Sequence, residues 1–344
     1  MATRSLRCAV VALLAMLAIL PPAAAQRPSK KEPPPPAPFA IEVQAQPITA
    51  FDHRDPDRRR FGRLDFRGGL ALISAFEEFG GISSINVAPD GANFIAASDR
   101  GWWLRGRITY NDARPTGIVD AEMAPMLGPD GRTLAARGWY DTESMTRDGG
   151  TVYVGIERVQ RIVRFDFGKE GLSARARPID VPTAFRSLPN NGGIEALAFV
   201  PRGSPLGGAL VAISERGRDR NGDHLAFLIG GPRPGTFTIK RKDGYDVSDA
   251  TILPDGNLVI LERKFSWTAG LYIRVRRIAI ADVRPGALVD GPVLLEADLG
   301  QQVDNMEGIS AHRAGHDTVL TLISDNNFSG LQRTLLLQFT LLEE

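Results

Sequence analysis

Acidic side chains recur at two matched points along this chain, and an arginine follows most of those at the second. The first point is held by Glu143, Glu195, Asp249 and Glu307, with Ser83 as the uncharged exception. The second is held by Asp99, Glu157, Glu215, Glu262 and Asp325. Arg100, Arg158, Arg216 and Arg263 follow the first four of these, whereas Asn326 follows the last. Sets of carboxylate oxygens bind hard cations such as Ca²⁺, and a neighbouring carboxylate can then take a proton from water. Arginine's planar fork matches two oxygens of a phosphate or carboxylate at once. The pattern therefore offers a hydrolytic centre. Glu143, Glu195, Asp249 and Glu307 are its candidate catalytic acids, Arg100, Arg158, Arg216 and Arg263 its substrate grip, and Asp99, Glu215, Asp304 and Asp325 its metal ligands.

The same residues also serve a purely architectural reading, in which ion pairs and turn hydrogen bonds tie the repeats together. Two carboxylates ~8 Å apart repel by about 2 kcal/mol at an effective dielectric of ~20. A ring of them requires arginine partners, protonation or a bridging cation. Adjacent strand residues point to opposite faces, so an acid and its following arginine can share an axis only where the strand ends. The residues alone leave both readings open.

The elements that must position these groups repeat with them. Ile194-Glu195-Ala196-Leu197 leads through Pro201-Arg202-Gly203 to A-L-V-A-I-S-E-R. Ser248-Asp249-Ala250-Thr251 leads through Pro254-Asp255-Gly256 to N-L-V-I-L-E-R, and comparable phrases start at Ile82, Thr142 and Met306. The spacing of about 50 to 60 residues is close to that of kelch-type propeller blades. Turn signals between short apolar runs read as hairpins, and such a unit holds about four strands. Five units are visible and the two ends can supply another. The expected fold is all-β: a single propeller of roughly six four-stranded blades. Residues 331–341 form a strong strand expected to close the ring against strands from residues 39–74, removing exposed edges. Residues 119–137 read as an excursion between blades, and residues 52–60 as a charged loop.

The chain has 344 residues and is 43% hydrophobic, as expected of a globular protein. Arg4 and Arg7, the apolar run from Cys8 to Leu20 and Ala23-Ala24-Ala25 together predict a cleaved signal peptide over residues 1–25. Residues 26–38 form a proline-rich linker and residues 39–344 the folded domain. The only cysteine is Cys8, so disulfides and thiolate chemistry are excluded from the mature chain. A periplasmic or secreted protein without disulfides is the expectation. Loss of residues 1–25 removes two arginines and no acids, so the formal charge of +1 becomes −1. That balance predicts no nucleic-acid partner and no stable membrane insertion. The expected partner is a small phosphorylated or ester substrate, bound by a monomer.

Other motifs are weak. Asp219-Arg220-Asn221-Gly222-Asp223 has the opening spacing of a calcium loop, but His224 and Gly230 stand where Gly and Glu are needed. His312 and His316 flank a turn glycine and lack the helix of a zinc-protease motif. No nucleophile elbow or phosphate loop is present.

The phrases F-G-G-I-S-S-I, A-E-M-A-P-M-L-G-P-D-G, D-A-T-I-L-P-D-G-N-L-V-I-L-E-R and D-N-M-E-G-I-S, with S-D-N-N-F near the end, resemble the esterase-like phytase family. The resemblance extends over residues 61–339. It implies an exported single-domain propeller that hydrolyses phosphate or carboxylic esters, with Ca²⁺ as the candidate cofactor, and phytate is the substrate it suggests. It carries no settled catalytic motif, so the candidate residues above rest on the repeats. A non-catalytic binding or scaffold propeller, or a lactonase-like esterase, is the alternative.

Overall fold

The computed structural model describes residues 36–343 apart from residue 269. The expected signal peptide and most of the expected linker lie outside the described residues. Each repeat folds into a meander whose first strand is innermost. Blade 1 comprises Ile82–Val87, Asn93–Ser98, Trp102–Asn111 and Arg114–Pro125, with Phe39–Ala40 on its outer edge. Blade 2 comprises Thr142–Asp148, Thr151–Ile156, Arg161–Asp166 and Arg177–Pro178. Blade 3 comprises Ile194–Phe199, Ala209–Arg218, His224–Gly230 and Gly235–Ile239, extended by Leu288–Val289 in parallel. Blade 4 comprises Asp246–Ile252, Leu258–Ser266, Gly270–Ile278 and Val293–Asp298.

Blade 5 closes the ring. Met306–Ala314, Asp317–Ser324 and the C-terminal Thr334–Leu341 pair onward to Leu64–Ile73, then to Gln44–Ile48. The junction is antiparallel, running from Thr334 opposite Leu72 to Leu341 opposite Leu64. Phe51, Phe66 and Phe339 pack across it, with ring centroids 5.1 to 5.4 Å apart. The expected pairing of the two ends is present.

The sheets form a β-propeller of five blades rather than about six. The N-terminal sequence that seemed able to build a further blade instead supplies outer strands to blades 5 and 1. Residues 119–125, read as part of an excursion, belong to the long outer strand of blade 1.

The apolar core is divided like the ring. Five clusters of buried side chains each join two adjacent blades, for example Ala198, Val211 and Ile213 of blade 3 against Val247, Leu258 and Ile260 of blade 4. Inner strands are therefore covered on both faces. Ile194–Phe199 is buried at every position, which explains why it reads as a continuous run rather than an alternating one.

Candidate functional site: an acidic axial pocket

In all five blades the pairing of the first strand with the second skips one residue. The skipped residues are Ser83, Glu143, Glu195, Ser248 and Glu307. A bulge of this kind re-aims one side chain out of the ladder, and here it does so around the propeller axis. Because a hairpin joins the first two strands, the second strand returns to the same mouth. Immediately after the residue paired across each bulge come Asp99, Glu157, Glu215, Arg263 and Asp325. Two five-membered rings result, one of Ser-Glu-Glu-Ser-Glu and one of Asp-Glu-Glu-Arg-Asp.

Blade 4 departs from the sequence alignment by one residue at both rings. Ser248, not Asp249, is the bulged residue, and Arg263, not Glu262, takes the second position. Asp249 is instead buried between blades 4 and 5, where its Oδ2 accepts a 2.8 Å hydrogen bond from the Ile309 N–H. Burial raises its pKa well above the usual range, although backbone donors at Ile309 and Ala250 oppose the shift. Glu262 is fully buried inside the blade. It accepts from Arg274 Nε at 2.9 Å and from Arg276 Nε and a terminal nitrogen at 2.7 and 2.6 Å. The architectural reading holds for these two acids.

The mouth opens into a pocket of about 980 Å³ in which ten lining residues are acidic and five are basic. Carboxylate oxygens of Glu143, Glu195 and Glu307 lie within 4.8 Å of one another, as do those of Asp141, Glu143 and Glu157. Glu143 belongs to both groups. Burial, then repulsion from neighbouring acids, raises the pKa of Glu143 and Glu195 far above the carboxylate range. Burial also raises that of Glu307, where repulsion from Glu215 adds and the Arg263 pair and an Asn305 hydrogen bond oppose. Asp99 is pushed up to about 6 and Asp325 to about 7, in both cases chiefly by burial.

Arg263 is the cation at the centre of this field. It pairs with Glu307, donates to Asn305, and reaches Glu215 at 3.4 Å. Burial alone would lower its pKa, but Glu307, Glu215, Glu195 and Glu143 together raise it. Glu157 is held differently: it accepts from the backbone N–H groups of Gly192 and Gly193, the latter at 2.7 Å. A Cβ at Gly193 would stand 3.1 Å from Glu157 Cγ, so glycine permits that approach.

The other candidates divide. Arg158 and Arg216 line the pocket at its edge, 49% and 57% exposed, paired with Asp141 at 2.6 Å and Glu215 at 3.2 Å. Asp304 lines it too, its Oδ2 accepting from the Arg333 N–H at 3.0 Å. Arg100 does not line it; it lies 3.4 Å over the Phe328 ring and pairs with Glu78 at 3.3 Å. In the calcium-like loop, Asp219 Oδ1 accepts from Asn221 and Asp223 N–H groups at 2.8 and 2.9 Å, which makes it a hydrogen-bonded turn.

Asp141 was not anticipated. It occupies the place that Gly81 and Gly193 hold in other blades, two residues before the bulge, and its φ of 64° is left-handed. Aspartate tolerates that region better than most residues, and such conformations concentrate at functional sites. Its signal in the sequence was an aspartate aligned with Gly81 and Gly193 of blades 1 and 3.

Fold and mouth together define a β-propeller with one acid-lined, cation-competent end. The model of the Phytase-like family, described as esterase-like activity of phytase, matches residues 77–328, and the chain belongs to that family. No curated protein matches it. Among solved structures it is similar to the α-L-arabinofuranosidase of Podospora anserina crystallised with cellotriose, at 11% identity and a TM-score of 0.44 over 81% of this chain and 97% of that one. It is also similar to U3-55K, at 12% identity and a TM-score of 0.37 over 76% of this chain and 96% of that one.

Proposed function

We propose that this chain is an exported, calcium-assisted hydrolase of phosphate esters that works at the axial pocket. Glu195 carries the reading. It is 5% exposed, lines the pocket, and belongs to a carboxylate triad within 4.8 Å. Its carboxylate makes no hydrogen bond or ion pair among the described residues. A buried carboxylate in that setting needs a proton or a cation, and an all-oxygen donor set suits Ca²⁺.

Glu143, Glu195 and Glu307 would hold the ion, with Asp141 and Glu157 as further oxygens beside Glu143. Bound there, calcium would supply positive charge against the negative charge that develops as an ester bond breaks. Water supplies the oxygen that bonds to phosphorus as the bond to the leaving group breaks, and the protein's own groups bind the substrate and move the proton. Asp325, with its pKa near 7, can exchange a proton at neutral pH and is assigned to the leaving-group oxygen. Arg216 and Arg158, partly exposed at the pocket edge, grip the phosphate oxygens. Arg263 is committed to Glu215, Glu307 and Asn305, so it positions Glu307 instead of gripping substrate. Asp99, Glu215, Asp304 and Asp325 line the same pocket but form no ligand-sized group of their own among the described residues.

We further take the protein to act as a monomer, in the periplasm or outside the cell. No helix among the described residues is long and apolar enough to cross a membrane. A cation-binding propeller without chemistry is the second reading, favoured by the partial neutralisation of the acids by Arg263. Assaying the purified protein on phosphomonoesters and short-chain carboxylic esters, with Ca²⁺ and with chelator, separates them. Calcium-dependent phosphomonoester turnover is expected; a calcium-induced rise in melting temperature with no turnover would leave only the second reading.

A further inference from the structure

We infer that the substrate is amphiphilic: one anionic group enters the axial pocket while an apolar arm lies on a hydrophobic arc at its mouth. The inference rests on the pocket being the binding site, as proposed above. Eight large apolar side chains are exposed among the described residues. Phe265, Leu299 and Leu331, which are 61%, 57% and 95% exposed, line this one pocket. Trp267, 95% exposed, packs edge-on against Phe265 with centroids 5.1 Å apart. Single exposed apolar residues need no explanation. Three that line one polar pocket, with Trp267 packed on one of them, mark a contact surface.

Three separate segments build the arc. Phe265 and Trp267 stand at the tip of the hairpin between Leu258–Ser266 and Gly270–Ile278, Leu299 follows Val293–Asp298, and Leu331 precedes Thr334–Leu341. Leu299 reaches the hairpin because Gly270 has no side chain: a Cβ there would stand 2.8 Å from Leu299 Cδ1. With φ at 82°, Gly270 is also in the left-handed region.

Charge decides which anions fit beneath the arc. Ten acids face five bases in the pocket, an excess of five negative charges when all are ionised and of three with one Ca²⁺ bound. An inositol polyphosphate would bring many like charges into that field. A single phosphate or carboxylate needs only the bound cation and Arg216, and its affinity must come from elsewhere. A fully buried methylene contributes a factor of about four. An alkyl chain of six carbons lying half-buried on the arc therefore gives at least ~10-fold.

Calorimetric titration in saturating Ca²⁺ with methylphosphonate, hexylphosphonate and inositol hexakisphosphate tests this. Hexylphosphonate should bind at least ~10-fold more tightly than methylphosphonate. In Phe265→Ser/Leu331→Ser, which changes two exposed side chains, that ratio should fall to about twofold while calcium affinity is unaltered. Equal affinities in the wild type, an undiminished ratio in the variant, tightest binding of the hexakisphosphate, or no binding by any probe would each overturn the inference. Phosphonate binding with the expected ratio, but no turnover of any ester, would defeat the hydrolase reading and leave the amphiphilic site standing.

Discussion

Blade 4 and its two neighbours place opposite charges at the same ring position. Glu215 in blade 3 and Asp325 in blade 5 face the pocket where blade 4 presents Arg263. Blade 4 also carries serine at its bulge where blades 3 and 5 carry Glu195 and Glu307. The acid that blade 4 seems to share with them, Glu262, is turned into the blade and spent on Arg274 and Arg276. Two Glu-Arg pairs with the same letters thus do different work, because the bulge has shifted by one residue against the motif. Arg263 sits between Glu215 and Glu307 and pairs with both, whereas Glu143 and Glu195 have no basic side chain within ion-pair distance among the described residues.

The largest effect should come from Glu262. Glu262→Gln leaves two buried guanidiniums without their shared carboxylate, with only Asp243 and Asp290 still paired to them at 2.9 and 2.8 Å. Breaking a buried pair costs about 3–5 kcal/mol, or a fall in Tm of roughly 10 °C. The calcium-induced Tm shift should be retained, since Glu262 does not line the pocket. A variant that melts normally would mean that this acid is not the blade's internal anchor.

Arg263→Met should come next. It exposes Glu215 and Glu307 to each other without a countercharge, and the arginine is 24% exposed. The loss should be about 3 kcal/mol without calcium and smaller with it, because a ligand of the native state restores stability. If calcium rescues Arg263→Met no better than the wild type, Arg263 and the cation do not neutralise the same field.

The pH dependence sharpens the contrast further. Asp99 and Asp325 have pKa values raised from 3.8 to about 6 and about 7 on folding. Between the unfolded and folded values the native state therefore holds more protons than the unfolded one, so stability falls as pH rises. The calcium-free protein should melt lower at pH 8 than at pH 5, and Asp325→Asn should flatten that slope. Saturating calcium should flatten it also. A calcium-free Tm that rises over this interval would contradict the burial of these carboxylates.

Most of the fold was legible because it depends on local patterns. Pro-Asp-Gly turns mark the hairpins, and the strand at residues 334–341 declares itself by Leu335-Leu336-Leu337 and Phe339. The blade count was not legible: whether Gln44–Ile48 starts a sheet or finishes one depends on its pairing with Leu64–Ile73, over a span of intervening loop. The ring positions were legible in four blades and displaced by one residue in blade 4. In V-S-D-A and L-E-R the acids align by letter, but the ring is assigned by which residue the ladder skips. Only the pairing of Val247 with Glu262 and of Asp249 with Leu261 shows that. Asp141 was missed for a related reason: its alignment with Gly81 and Gly193 emerges only once the bulge in each blade is located.

The smallest effect concerns Arg216, which separates gripping from bracing at the same position along the repeat. Its pair with Glu215 is 3.2 Å long and the guanidinium is 57% exposed, and exposed pairs of this kind contribute ~0–1 kcal/mol. Arg216→Lys and Arg216→Ala should therefore melt within about 2 °C of the wild type. If the guanidinium holds two phosphate oxygens, lysine keeps the charge but loses the fork. Arg216→Lys should then lower kcat/KM for a phosphomonoester by roughly tenfold, and Arg216→Ala by more, since a charge-assisted hydrogen bond contributes about 1.5–3 kcal/mol. Arg100→Lys is the internal control: that arginine follows the equivalent acid of blade 1 but lies on Phe328, away from the pocket. It should leave kcat/KM unchanged. Equal losses in the two lysine variants would show that neither arginine touches substrate and that both act through the fold.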